Sequence, residues 1–144
     1  MTDYVVRLAS LTLKNIKNVK NGTIFMPFAN NRSLDWGGAE VLGIYGQNGS
    51  GKTAIVDALY FVQHIMIGEE LNQTLLDYID MAACGAEVNV EFKIFGKDVL
   101  YEVGYNIFLD KGESGIIIKR EFLNCAVNQN GNRSSKNIFM DYQR

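Results

Sequence analysis

The sequence is poor in the residues that build metal centres. His64 is its only histidine, and its two cysteines, Cys84 and Cys125, lie far apart and in no Cys-x-x-Cys spacing. That excludes a Cys/His zinc site and favours two free thiols in a reducing compartment. No apolar run approaches the ~18 residues of a membrane span. The opening stretch, MTDYVVRLASLTLKN, has no basic segment followed by an apolar run and a small-residue cleavage site. We therefore expect no membrane partner, no secretory signal and a cytoplasmic location. Positive charge is not in excess: the formal net charge is −2, so no global field advertises nucleic acid.

What is there suits one globular domain. Of 144 residues, 47% are hydrophobic and 21% charged, enough to bury a core. Tyr4 to Leu13 reads as a strand with imperfect alternation. A polar connection follows, KNIKNVKN, carrying Lys14, Lys17 and Lys20 and read as a solvated turn, with DNA phosphate as the functional alternative. Thr23 to Phe28 is a second strand, with Pro27 near its end. Asn30 to Gly38 is loop, in which Trp36 reads as an anchor, with stacking on adenine as the functional alternative.

Glu40 to Tyr45 (EVLGIY) is a nearly continuous apolar run, as expected of a strand buried on both faces. From Gly51 the period changes. Ile55, Leu59, Val62 and Met66 mark one face of a helix over about 51–67, which Gly68 ends. Glu69 to Asp80 reads as a shorter second helix. His64 falls inside the first helix as an ordinary packed or half-exposed residue. After Gly85 apolar residues alternate through Val88, Val90, Phe92 and Ile94, and turns at GKD and DKGESG divide an antiparallel β-meander over about 86–123. Asn128 to Arg144 is polar and reads as loop or linker.

Between the apolar run and the helix stands Gly46-Gln47-Asn48-Gly49-Ser50-Gly51-Lys52-Thr53, a full match to G-x-x-x-x-G-K-[ST]. Glycines permit positive φ, so successive backbone N–H groups can point inward as an anion nest. The nest opens a helix, whose free N–H groups and dipole favour negative charge. Lys52 can reach β- and γ-phosphates, and the Thr53 hydroxyl can ligate Mg²⁺. The strand–turn–helix context is the one the motif requires, and ATP with Mg²⁺ is the expected ligand.

GQNGSGKTAIVDAL resembles the phosphate loop of ABC-type ATPase heads. More narrowly it is similar to the chromosome-maintenance (SMC) proteins, their DNA-break-repair relatives and the phage-defence ATPases of the overcoming-lysogenization-defect type. The helix continues as Ala54-Ile55-Val56-Asp57-Ala58-Leu59, close to that branch's DAL pattern. LTLKNIKNVKNGTIFM resembles its opening strand, turn and second strand, with Asn15-Ile16-Lys17 at the place of a common Asn-Phe-basic triplet. The resemblance puts Lys17 beside the nucleotide phosphates and makes Gln129, near the lobe junction, a candidate metal ligand. The meander, with KREFL in it, resembles the β-subdomain of these heads.

The resemblance also shows what is missing. Hydrolysis needs a positioned water and an acidic residue that ends another strand. No run of four apolar residues followed by an acidic pair occurs, and Phe108-Leu109-Asp110 is the nearest approach. An LSGG-type signature and a later switch histidine are absent too. The implied fold class is α/β: a P-loop NTPase, as the N-terminal lobe of an ABC/SMC-like head, with phosphate loop and helix plus an antiparallel meander. Residues 1–127 would be the ATP-binding lobe and 128–144 a polar loop or linker to a C-terminal lobe supplied from elsewhere. The implied partners are that lobe, a second head in a head-to-head homodimer, and DNA through a full-length protein. No catalytic residue is assigned within the chain. The alternatives are an autonomous small P-loop phosphotransferase, which would need clustered lid arginines that this sequence lacks, and a non-catalytic interaction module.

Overall fold

A computed structural model describes residues 4–27, 29, 41–69, 79–80, 84–113 and 115–143. Seven strands and one helix appear among them: β1 (Val5–Ile16), β2 (Val19–Phe25), α1 (Lys52–Met66), β3 (Ala86–Gly96), β4 (Val99–Gly112), β5 (Gly115–Gln129), β6 (Asn132–Arg133) and β7 (Asn137–Gln143). The strands form one sheet in the order β2-β1-β3-β4-β5-β6, and β7 also pairs with β5. Every pairing is antiparallel. The expected meander is present as β3–β4–β5, with strands longer than their alternation alone suggests.

The hairpins are tight because their turn residues accept left-handed backbone. Lys97 (φ 53°) and Asp98 (φ 58°) join β3 to β4, and Asn130 (φ 53°) with Gly131 (φ 81°) joins β5 to β6, the pair of positive φ values that a two-residue turn needs. The β1–β2 connection is shorter than expected. β1 runs to Ile16, β2 starts at Val19, and only Lys17 and Asn18 turn the chain. The polar residues stay on the strands because their charges are matched: Lys14 pairs with Glu87 at 2.6 Å, Lys17 with Asp57, and Lys20 with Asp80. The three lysines are therefore not simply solvated. The imperfect alternation of β1 also has a cause. Its register against β3 shifts between Leu8 and Ser10, and such a bulge moves the following side chains to the other face.

One face of the sheet is buried under α1. Leu11 and Leu13 of β1, Val88 and Val90 of β3, and Ile107 and Leu109 of β4 meet Ala54, Ala58, Phe61 and Val62 of the helix. The buried helical face is thus turned from the one the sequence suggests. Ile55 and Leu59 are half-buried and Met66 is 56% exposed, because the small Ala54 and Ala58 let the helix lie close to the sheet. Ile67, Gly68 (φ 76°) and Glu69 donate back to the last helical carbonyls, which stops α1 as expected. Tyr105 is buried beside the helix and donates to Glu121 Oε2 at 2.6 Å; burial first, then that carboxylate, holds its hydroxyl above the usual phenol range.

Two expectations are corrected. Val41 to Gln47 has no regular structure, and Val41 is 85% and Tyr45 94% exposed. An apolar run reads as a buried parallel strand only if neighbours flank it, and the antiparallel sheet seen here offers none. Of the stretch 128–144, the described part is not simply loop: it completes β5, turns through Asn130-Gly131 into β6, and supplies β7. The second helix expected over Glu69 to Asp80 falls largely outside the described residues, as do Trp36 and its loop. At its end Ile79 is buried and bridges Ile16, and the Asp80 N–H donates to Asn15.

Candidate phosphate-binding site

The glycine-rich loop sits where the β1–β2 turn meets the start of α1. Gly49 (φ 82°) and Gly51 (φ 92°) hold left-handed backbone, and the Ser50 N–H donates to the Gln47 carbonyl at 3.2 Å, closing the turn. Gly51 occupies the position before the helix. No side chain caps the first turn, and no acidic residue lies in it. The positive end of the helix is therefore left unneutralised, which is the electrostatic condition for binding an anion.

Space as well as φ selects glycine here. A Cβ on Gly51 would lie 2.6 Å from Val19 Cγ2, and one on Gly46 would lie 2.7 Å from Ser50 Oγ, whereas at Gly49 nothing stands within 4 Å. Lys52 folds back over the loop. Its ammonium donates to the carbonyls of Gly46 (2.7 Å) and Gln47 (2.6 Å) and lies 3.4 Å from Ser50 Oγ. Gln47, Asn48 and Thr53 are exposed. A pocket of about 320 Å³ adjoins the loop, walled by Leu11, Leu13, Val19 and Ile44 and bordered by Ser50 and Lys52.

The structure brings Lys17 to this site, one residue from the loop's nearest neighbour. Its ammonium is directed at Asp57 of α1. Asn18 donates its side-chain amide to the Gly49 carbonyl, a contact the sequence reading missed, as it missed Asp57. The only sequence signals were their positions, beside Lys17 and one helical turn beyond Thr53.

Gln129 is not brought together with Thr53. It pairs with Val99, which pairs with Gly96, level with the beginning of β1. The loop is at the other end of that strand, whose 12 residues span roughly 35–40 Å. The cause is the Asn130-Gly131 turn, which makes Gln129 a hairpin residue. Asp110 is also committed. It accepts from its neighbour Lys111 N–H at 2.9 Å and from Lys119 at 3.2 Å, and these bonds hold its carboxyl below the usual range. Among the described residues no group of three His, Cys, Asp or Glu is placed to hold a metal ion.

The expected place of His64 in the first helix is seen. His64 is a helix residue, with Nδ1 3.0 Å from the Tyr60 carbonyl and Nε2 2.9 Å from Glu69. Cys84 and Cys125 are both free. Among the described residues, no helix is long and apolar enough to cross a membrane.

No curated protein and no solved structure matches the chain. A family model does, described as an AAA domain, over residues 10–139. That span includes the whole loop, α1 and the meander, and it agrees with a P-loop ATPase-type nucleotide-binding domain. The chain belongs to the AAA domain family.

Proposed function

We propose that this chain is the ATP- and Mg²⁺-binding lobe of an SMC-like or defence-type ATPase, and that hydrolysis is completed by a C-terminal lobe and a head-to-head dimer. The observation that carries the reading is the loop at residues 46–53: two left-handed glycines opening an uncapped helix that has no acid in its first turn. Those residues suit a polyphosphate. The backbone N–H groups of Gly49, Ser50 and Gly51 and the start of α1 would hold phosphate oxygens. Lys52, released from the Gly46 and Gln47 carbonyls, would reach the β- and γ-phosphates, and the exposed Thr53 hydroxyl would ligate the metal. Bound Mg²⁺ would neutralise charge on the phosphate oxygens. Lys17, held by Asp57 next to the loop, is the candidate for an additional phosphate contact.

Two features support the need for a second lobe. Among the described residues, Asp57 and Asp80 are each paired with a lysine of the β1–β2 hairpin, and Asp110 is held by Lys111 and Lys119. Apolar side chains of Val41 and Tyr45 lie exposed just before the loop, as they would if that run joined a sheet completed by another lobe. A small phosphotransferase is disfavoured, because Arg120 and Arg133 are tied to Asp141 and Glu102 on the sheet.

Calorimetric titration of ATP, with and without Mg²⁺, together with a phosphate-release assay tests the reading. We expect binding without turnover, lost in Lys52→Ala. Turnover by the chain alone would contradict the need for a second lobe, and binding unchanged in Lys52→Ala would contradict the site.

A further inference from the structure

The three residues that follow Ile16 each touch a different part of the glycine-rich loop and its helix. Lys17 pairs with Asp57 on α1. Asn18 donates its amide to the Gly49 carbonyl. Val19 packs where a side chain on Gly51 would otherwise stand. We infer that this hairpin turn braces the phosphate loop, and that Asn18 is a positioning residue for polyphosphate binding, acting through the Gly49 peptide. The inference rests on the nucleotide-binding reading above and deepens it.

The physical need is clear from the loop's composition. Gly46, Gly49 and Gly51 fall within six residues, and glycine loses more conformational freedom on ordering than any other residue. A free loop would have to surrender that freedom when the anion arrives. Its carbonyls present a second problem, because any that turns inward presents negative charge to the phosphate. The Asn18 amide ties the Gly49 carbonyl to the hairpin, which is itself fixed by six β1–β2 register pairs and by the Lys17–Asp57 ion pair. The Asn18 side-chain oxygen Oδ1 lies 3.7 Å from where a Cβ on Gly51 would stand, so this side chain spans the loop from Gly49 to Gly51. Preorganisation of this kind raises affinity without adding any contact to the ligand. Asn18 is exposed, so its removal leaves no buried group unsatisfied and hardly touches folding.

The test compares the full chain with Asn18→Ala, Asn18→Asp and Asn18→Gln, using Mg²⁺-ATP and tripolyphosphate as probes, with thermal unfolding alongside. Thr23→Ala, on the same hairpin but clear of the loop, is the control. We expect Asn18→Ala to weaken both ligands by the same factor, roughly three- to tenfold, with little change in Tm. Asn18→Asp should weaken them further, since it loses the donor and adds negative charge, and Asn18→Gln should recover part of the loss. A ¹⁵N spectrum of the free protein should show the Gly49, Ser50 and Gly51 amides shifted in Asn18→Ala and unmoved in Thr23→Ala. If wild type binds both probes and Asn18→Ala binds them equally well, the brace is refuted and the nucleotide reading stands. If wild type binds neither, both fail together. A loss confined to ATP would place Asn18 at the base or ribose, and would also overturn the inference.

Discussion

The hairpin end of the sheet and its β7 edge use polar groups in opposite ways. Around the β1–β2 turn almost every charged or amide side chain has a partner on another element: Lys14 with Glu87, Lys17 with Asp57, Asn18 with Gly49, Lys20 with Asp80. What is left unneutralised there is backbone, the first turn of α1. At β7 the reverse holds. Ile138, Phe139, Met140 and Tyr142 are substantially exposed, and the ties of the strand to the sheet include, beside its ladder, a fork in which Arg120 donates to both oxygens of Asp141 at 2.9 and 2.8 Å. The pairing skips Phe139, and a bulge of this sort blunts an edge against further pairing. The same sheet therefore fixes one end by side-chain bonds to several elements, where the loop needs a fixed backbone, and at the other presents exposed apolar side chains on a paired strand.

Breaking the core beneath both regions should have the largest effect. Ile107 is fully buried between β3 and β5, and Ile107→Ala should cost about 2–5 kcal/mol, read by urea unfolding. Loop and β7 should melt together.

The next test separates space from backbone conformation within the loop. Gly51→Ala must both hold φ 92° and displace Val19, so it should cost about 1–3 kcal/mol and weaken nucleotide binding. Gly49→Ala meets nothing and has only the φ of 82° to hold, so it should cost less than Gly51→Ala, about 1–2 kcal/mol. Val19→Ala should restore part of the Gly51→Ala loss and none of the Gly49→Ala loss.

These substitutions also show what the sequence could and could not tell. The motif gave the need for glycine at positions 46 and 51, but the reason at Gly51 is a neighbour from another strand. The meander was legible because Val88 to Ile94 alternates with polar residues on one wet face. The helix was legible by period, yet its buried face was misjudged, because the size of Ala54 and Ala58 outweighs the hydrophobicity of Ile55 and Leu59 where helix and sheet approach closely. The apolar run before the loop was misread since burial depends on neighbours outside the run itself. Asn130-Gly131 was a hairpin signal within a stretch read as linker. Missing it also misplaced Gln129.

Smaller effects sharpen the contrast. The Lys17–Asp57 pair is partly exposed at both ends, with side chains 31% and 20% accessible. Asp57→Asn should therefore cost no more than about 1 kcal/mol of stability, measured by denaturation, and should change loop dynamics more than global stability. The smallest effect is expected from pH at the β7 edge. The hydrogen bonds from Arg120 hold the Asp141 carboxyl below the usual range. A lowered carboxyl stabilises the fold at and above the ordinary carboxylate pKa, and that contribution is lost as pH falls through the lowered value. Amide protection in β7, read by NMR exchange after allowing for the slower intrinsic exchange of acid solution, should fall on acidification before that of the β1–β2 hairpin does. Asp141→Asn should remove the difference.

The most direct test of the central claim is a ¹⁵N-resolved titration of the chain with Mg²⁺-ATP. The largest shifts should fall on the backbone amides of Gly49, Ser50, Gly51, Lys52 and Thr53, Asn18 should follow them, and Lys52→Ala should abolish the response. Shifts centred elsewhere on the sheet, or an unchanged response in Lys52→Ala, would contradict the claim.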